Sequence, residues 1–411
     1  MENAKRVNYE KFDGVRRVDH RREKAPRFKI SRRKIFLVGF IVVAVLSGFR
    51  MATMEANLEL FTTFSVPEGV SLEGIGEGIS DKWAAVIDGK VVLFDKEEKR
   101  QATASTTKMI LALAVMEKKP FSKGEKGETI TITQEMYDIW GWYLRNNGSN
   151  TKVEVGEEIS EYDALVSTLL VSSNNMADSL AIWAFGSIEE YQKYATEMLE
   201  RNAVKNTTLG TKDASGYDES TVSTASDLAR IGYLVMKEPV LAEIVALKKA
   251  EVPVAGEISN TNLLLGKSGI AGIKTGYIGD VSGYCIISGY VSDEHIYTVA
   301  LLGADTRNRS FNENLVIVEE LQEKLVKSQI VEKEAEVGYY ESWWTGKVPV
   351  SSAEDFSEVN YQGAETKAEV SEEKLNVSID ENKYEISLDV PEFSRNPSIL
   401  QRFLHVFGWK K

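Results

Sequence analysis

An apolar run without a single charge extends from Ile35 to Phe49, and low-charge sequence continues to Met54 with Arg50 as its only ion. Fifteen residues are short for a membrane span of roughly 20, but 35–54 reaches that length if Arg50 snorkels to the interface. Further along, Trp83-Ala-Ala-Val-Ile87 and Lys90-Val-Val-Leu-Phe94 flank Asp88-Gly89, which predicts a β-hairpin. Small and hydroxyl residues at 102–107 then give way to the apolar run Met109–Met116, the pattern of a turn opening into a buried helix. Thr129–Thr133 alternates like a short strand, and Val153–Gly156 also reads as a strand. Helical spacing from Tyr162 to Phe185 is interrupted by Ser172-Ser173-Asn174-Asn175, and Ser226–Met236 is helical with Ser223 or Thr224 as its cap. Ile270–Tyr277 predicts a strand, Gly283–Val291 and Ile296–Gly303 a second hairpin, and Asn312–Val326 an amphipathic helix. Strands at both ends with helices between them predict an α/β (α+β) sandwich on an antiparallel sheet flanked by helices.

After about residue 330 the texture becomes β-rich. Leu375, Val377 and Ile379 alternate, Asp380-Glu-Asn-Lys383 turns, and Tyr384, Ile386, Leu388 and Val390 alternate again. The final stretch puts Ile399, Leu400, Phe403, Leu404 and Phe407 on one helical face. That face either packs on the β-rich module or lies on a membrane surface beside Trp409 and Lys410-Lys411. The expected organisation is therefore a basic segment at 1–34, an anchor at 35–54 and a linker at 55–80. A main α/β domain at 81–328, a small β-rich domain at 329–393 and an amphipathic tail at 394–411 follow.

Charge sets the orientation. Residues 1–34 carry thirteen Lys/Arg against five Asp/Glu, although the whole chain has a net charge of −13. A basic flank beside an apolar span stays cytoplasmic, so everything after residue 54 is expected outside the cell membrane as a single-pass protein. A cleaved signal peptide is the competing reading, but Arg50-Met-Ala-Thr-Met-Glu-Ala56 fits a cleavage site poorly and the basic lead is long for one. The single Cys285 excludes an internal disulfide framework, and His20, His295 and His405 do not cluster. No metal or other cofactor is expected.

Candidate chemistry centres on Ser105 and Lys108. Three residues apart at a helix start, they share a face, where free N–H groups and partial positive charge gather. A desolvated lysine can take the proton of such a serine and make it a nucleophile. The same Ser-x-x-Lys spacing occurs at Ser31–Lys34 and Ser149–Lys152, but only Ser105 opens an apolar helix. A Ser-His-Asp hydrolase is disfavoured, because no Gly-x-Ser-x-Gly elbow is present.

Two other segments complete a pattern: Ser173-Asn174-Asn175 between helical stretches, and Lys274-Thr275-Gly276 on a predicted strand. In order and spacing, the three resemble the Ser-x-x-Lys, Ser-x-Asn and Lys-Thr-Gly motifs of the penicillin-recognising serine acyl-transferases. The resemblance, from about Lys82 to Val326, is to the D-alanyl-D-alanine carboxypeptidases, the low-molecular-weight penicillin-binding proteins of serine peptidase family S11. Their β-lactamase/transpeptidase-like fold, with a helical subdomain, is thereby implied. Ser172-Ser173-Asn174 also fits the second motif. The family usually reads Ser-Gly-Asn-Asp-Ala, and aligning its alanine with Ala177 selects Ser173 and Asn175, with Met176 where the family has aspartate.

The resemblance implies residue roles. Ser105 attacks the carbonyl between two D-alanines, Lys108 is the general base, and Ser173 passes a proton to the departing D-alanine. Asn175 holds the substrate amide, while Lys274 and Thr275 meet its terminal carboxylate. Gly276 leaves room along the strand edge, and the N–H groups of Ser105 and Tyr277 form the oxyanion hole. The implied partners are peptidoglycan stem peptides ending in D-Ala-D-Ala, β-lactams as covalent inhibitors, and the membrane, with no nucleic acid. The rival readings are a β-lactamase, a DD-endopeptidase, and an inactive envelope-binding relative. Against the first, no Glu-x-x-Leu-Asn string stands between Ser173 and Lys274.

Overall fold

Helix α1 (Arg32–Ala52) occupies the predicted anchor and is long and apolar enough to cross a membrane. The structure, a computed structural model, describes residues 31–79, 82–95 and 98–408. The basic lead up to residue 30, His20, and Trp409-Lys410-Lys411 lie outside the described residues. Two compact units form. One holds α1 with the chain to Phe61, Tyr339–Val348 and the segment from Pro391; the other holds Thr62–Gly338 and Pro349–Val390. The chain thus divides differently from the expected 328/329 boundary. The β-rich region contributes Tyr339–Val348 to the first unit, and its remainder stays with the main α/β region.

In the larger unit, the strands β1 (Lys82–Ile87), β2 (Lys90–Phe94), β3 (Gly272–Tyr277), β4 (Tyr284–Ser292) and β5 (His295–Ala304) form one sheet in the order β3-β4-β5-β1-β2. Every neighbouring pair is antiparallel, with Lys274 opposite Ile287 and Tyr297 opposite Ile87. Strand side chains alternate between faces, and here both faces are buried. Ala84, Val86, Ile287 and Ala300 pack with the helices on one side; Trp83, Ala85, Ile286 and Val299 pack with Phe311, Ile317 and Leu321 on the other. Those last three residues belong to α7 (Arg307–Lys324), which starts five residues before the expected Asn312 because the Thr306 hydroxyl caps it by accepting from Arg309 N.

The opposite face carries α2 (Lys108–Lys118), α3 (Gln134–Arg145), α4 (Glu161–Leu170), α5 (Asn174–Phe185) and α6 (Ala225–Lys237). Six residues of α2, Met109–Ala112 with Ala114 and Val115, are wholly buried at 0 % exposure, and only Leu113 between them is half-buried on one edge. That is why its sequence is apolar all round. Side-chain caps set the helix starts: Thr133, Ser160, Ser173 and Thr224 each accept from the N–H three residues on. At Gly232 of α6 an added Cβ would lie 2.8 Å from Ile287 Cγ2, so this helix sits hard against the sheet. Two expectations shift. The helix expected from Ser105 begins instead as a 3₁₀ turn, Ala104–Thr107, before α2. Val153–Gly156 is not a strand, because Gly156 turns the chain with φ +85° and the strand falls at Glu158–Ser160.

The rest of the β-rich region forms a meander, Thr366–Val370, Lys374–Ile379 and Asn382–Asp389, close to the sequence expectation. In the smaller unit, α8 (Ile399–Val406) starts with a capping box of Ser398 and Gln401. Its Gln401 side chain donates to Trp344 O at 3.2 Å, and Arg402 donates to Met51 O and Met54 O at 3.1 Å each. The tail therefore packs on the Trp343-Trp344 turn of the β-rich region and on the end of α1, while Ile399 and Leu400 stay exposed.

Candidate active site

Ser105 and Lys108 meet because the 3₁₀ turn runs directly into α2. Ala104, in the left-handed region at φ +48°, starts that turn. Thr106 and Thr107 anchor it by donating to Thr103 O at 2.7 Å and Ala104 O at 2.9 Å. Lys108, the first residue of α2, is fully buried, and its Nζ lies 2.9 Å from Ser105 Oγ. The same amine donates to Asn174 Oδ1 at 2.7 Å and to Ser215 O at 2.8 Å. Burial away from water pushes it down to about 7, against the opposing pull of Asp213 and Asp178. A lysine tuned to that range can accept a proton at neutral pH.

Lys274 enters from β3, also fully buried, and donates to Ser172 Oγ at 2.9 Å. Burial, and then the charge of Lys108, hold it well below an ordinary lysine, so the two amines oppose each other's protonation. Thr275 Oγ1 lies 2.7 Å from Thr261 Oγ1. At Gly276 an added Cβ would stand 3.0 Å from Thr103 O and 3.2 Å from Ser105 N. Only glycine lets the strand pass this close to the serine turn. Tyr277, half exposed, stacks on Tyr284 with ring centroids 4.2 Å apart.

The second motif is where the geometry corrects the sequence expectation. Ser173 and Asn175 do not reach either lysine; Ser172 and Asn174 do. Ser173 is the cap of α5, its Oγ accepting from Met176 N and donating to Asn175 Oδ1 at 2.8 Å. Asn175 is wholly buried and pins the neighbouring loop, accepting from Thr151 N at 2.9 Å and donating to Thr151 O at 3.0 Å. The reason is the chain's turn: Ser172 sits in the left-handed region at φ +64°, which throws its hydroxyl toward Lys274 before the helix begins. In this register Asn175 takes the family's usual aspartate position. The alanine match at Ala177 misled, because Ala177 is simply a core residue of α5.

A further layer escaped the sequence. Asp178 on α5, buried, accepts from Tyr143 Oη at 2.7 Å and Ala214 N at 2.8 Å. Burial and the charge of Asp213 raise it to about 7. Tyr143 Oη also lies 3.3 Å from Ser215 Oγ, whose residue presents its carbonyl to Lys108. No local motif marks these residues; only the spacing of Asp178 from Asn174 on one helical face hints at them. The other Ser-x-x-Lys pairs are elsewhere, Lys152 on an exposed loop paired with Glu154 at 3.0 Å and Ser31 at the start of α1. His295 is held between Asp88 and Glu358 at 2.6 and 3.0 Å. Among the described residues, no three His, Cys, Asp or Glu side chains stand together as a metal site.

Residues 79–306 match the sequence model of the D-alanyl-D-alanine carboxypeptidases. D-alanyl-D-alanine carboxypeptidase DacF of Bacillus subtilis (strain 168) is 25% identical over 224 residues, 53% of this chain and 55% of that protein, so the chain spans about half the length of the curated relative it matches. The crystal structure of a peptidoglycan synthesis regulatory factor (PBP3) from Streptococcus pneumoniae superposes with TM-score 0.61 at 18% identity, covering 80% of this chain and 99% of that one. Penicillin binding protein 5 from Haemophilus influenzae gives 0.56 at 17%, covering 80% and 98%. These two establish the fold, with its antiparallel sheet, flanking helices and additional β-rich region. By its match over more than half its length, the chain belongs to the D-alanyl-D-alanine carboxypeptidase family, serine peptidase family S11.

Proposed function

We propose that this chain is a membrane-anchored serine D-Ala-D-Ala carboxypeptidase that removes the terminal D-alanine from peptidoglycan stem peptides, and that β-lactams acylate the same serine. The observation that carries this reading is the contact of the buried Lys108 amine with Ser105 Oγ at 2.9 Å, with a second buried lysine on β3. Lys108 takes the hydroxyl proton as Ser105 Oγ attacks the carbonyl between the two D-alanines. Negative charge on that carbonyl oxygen falls to the N–H groups of Ser105 and Tyr277, each worth roughly 3–4 kcal/mol in comparable enzymes. Ser172, in place of the expected Ser173, relays a proton to the departing D-alanine amine. Asn174, in place of Asn175, keeps its oxygen on Lys108 and turns its NH₂ to the substrate amide. Lys274 and Thr275 bind the terminal carboxylate, and water then hydrolyses the acyl-enzyme.

Catalysis is assigned to 81–328, with α1 as an uncleaved anchor, the basic lead cytoplasmic and the site outside the membrane. The exposed apolar face of α8, set at the end of α1, is assigned to the membrane surface. The test is D-alanine release from diacyl-Lys-D-Ala-D-Ala by the full-length protein, with labelling by a fluorescent penicillin. Both are expected to vanish in Ser105→Ala; labelling that persists in that variant overturns the nucleophile assignment.

A further inference from the structure

Three oxygens surround the amine of Lys108. Ser105 Oγ lies at 2.9 Å, Asn174 Oδ1 at 2.7 Å and Ser215 O at 2.8 Å. The last two are carbonyl oxygens and can only accept. A neutral amine has two N–H bonds and one lone pair. Once each carbonyl oxygen holds an N–H, the lone pair is left for the Ser105 hydroxyl. The position of Ser215 O thus helps to decide where the lone pair points.

Ser215 is fastened from α5. One oxygen of the buried Asp178 carboxylate accepts from Ala214 N, immediately before Ser215, at 2.8 Å. The other accepts from Tyr143 Oη at 2.7 Å, and that hydroxyl stands 3.3 Å from Ser215 Oγ. Asp213 adds a second hold from within the loop, accepting from Ser215 N and Oγ at 2.8 and 2.9 Å. Asp178 follows Asn174 by one turn of α5, so a single helical face governs both acceptors of the Lys108 amine.

Charge acts beside position. Facing the Lys108–Asp178 pair are Asp213 from the 213–219 loop, Tyr143 from α3, Tyr191 from the helix Ile188–Arg201 and Lys274 from β3. Burial, and then the charges of the two aspartates, keeps both tyrosine hydroxyls protonated. Lys274 opposes a proton on Lys108, whereas Asp213 and Asp178 favour one. Burial lowers the Lys108 amine and raises the Asp178 carboxyl, each to about 7. The Asp178 charge therefore appears over the interval in which Lys108 gives up its proton.

We propose that Asp178 is a positioning residue for acylation: it fixes the Ser215 carbonyl that aims the Lys108 lone pair at Ser105, and its carboxylate sets the pH above which that lone pair is free. It acts through Lys108 in both respects. The assignment rests on the serine-acylation reading above.

The test is the pH profile of penicillin acylation, followed by stopped flow on the full-length protein in detergent, for the parent, Asp178→Asn and Tyr143→Phe. Asparagine keeps an oxygen for Ala214 N but brings no charge. The midpoint of the acid limb is then expected to move to lower pH by about 0.5 or more. At about pH 6, the rate of Asp178→Asn relative to its own plateau should exceed that of the parent by about threefold. Tyr143→Phe removes the hydrogen bond that favours the Asp178 carboxylate, so Asp178 stays neutral to higher pH and the limb moves the same way. A merely structural role lowers the rate by one factor at every pH and leaves the midpoint in place. A midpoint in Asp178→Asn that is unmoved or raised overturns the proposal. Should that variant fail to fold, the same result in Tyr143→Phe overturns it. A parent that penicillin does not acylate at any pH overturns the serine-acylation reading instead.

Discussion

Lys274 Nζ lies 2.9 Å from Ser172 Oγ, one residue before the serine that caps α5. That single register step decides which serine and which asparagine face the two lysines. Ser172→Ala and Asn174→Ala are therefore expected to slow acylation by penicillin by about 10²-fold or more, the range of a lost proton-transfer group. Ser173→Ala and Asn175→Ala remove buried structural hydrogen bonds instead and are expected to cost about 1–3 kcal/mol of stability each. The acylation rate of their folded fraction should stay within a few-fold of the parent. Stopped-flow acylation and thermal melts on all four variants separate the two sets, and slow acylation confined to Ser173→Ala and Asn175→Ala would reverse the register.

The pH profile follows from Lys108. Its amine, pushed by burial down to about 7, acts as base only when neutral, so the acylation rate is expected to fall about tenfold per unit as pH drops below 7 and to level above it. Stability moves the same way. Between about 7 and the ordinary lysine value of 10.5 the unfolded chain binds the extra proton, so this group's contribution to folding stability rises with pH across that window. Acylation that is flat from pH 5 to 9 would remove Lys108 from the role of base.

How much of this could be read from the sequence differs by element. The β1–β2 hairpin announces itself through Asp88-Gly89, and α2 through its unbroken apolar run, because turn chemistry and burial are local signals. Ser105 and Lys108 lie 2.9 Å apart, as three-residue spacing at a helix start suggests, and Gly276 passes beside Ser105 N. The second motif does not resolve from sequence, since Ser172-Ser173-Asn174-Asn175 offers two serines and two asparagines, and the choice depends on a left-handed residue at Ser172. Asp178, Tyr143 and Ser215 are brought under Lys108 by the packing of α3, α5 and the 213–219 loop, a tertiary arrangement with no local signature. The split of the β-rich region is equally long-range: Trp343 and Trp344 join α8 through contacts across some 60 residues.

His295 should give the larger unit a second, alkaline pH dependence. Its ring stands between Asp88, in the β1–β2 turn, and Glu358, in the strand Phe356–Glu358. The Asp88 hydrogen bond first, with Glu358 adding to it against the effect of burial, raises the imidazole to about 9. A group raised above its unfolded value of 6.5 stabilises fully below that value, and the gain is lost as pH climbs through about 9. Because Lys108 acts in the opposite direction over the same interval, the His295 part is read as a difference: between pH 8 and 10 the melting temperature of the parent is expected to lose about 3 °C relative to that of His295→Gln, whose stability at pH 7 is lower. Melting points of parent and His295→Gln that keep a constant difference over that interval would show that the imidazolium is not formed.

The tail gives a prediction about the membrane. Arg402 fastens α8 to the carbonyls of Met51 and Met54 at the end of α1, and the Trp343 ring lies 4.3 Å from that of His405. Ile399, Leu400, Phe403 and Phe407 are exposed at 81%, 65%, 44% and 46%, a spacing that makes one apolar stripe along the helix. In the anchored arrangement proposed above, a helix bonded to the last turn of α1 is held at the interface, where burying that stripe is favourable by roughly 25 cal/mol per Å². A spin label at Ile399→Cys in the reconstituted full-length protein is expected to collide more with oxygen than with a water-soluble nickel chelate. The reverse is expected at Gln401→Cys, which faces the Trp344 carbonyl. Cys285 is 1% exposed and should not label under these conditions. Equal nickel access at both positions would mean that α8 stays in water, and that the stripe serves something other than the bilayer.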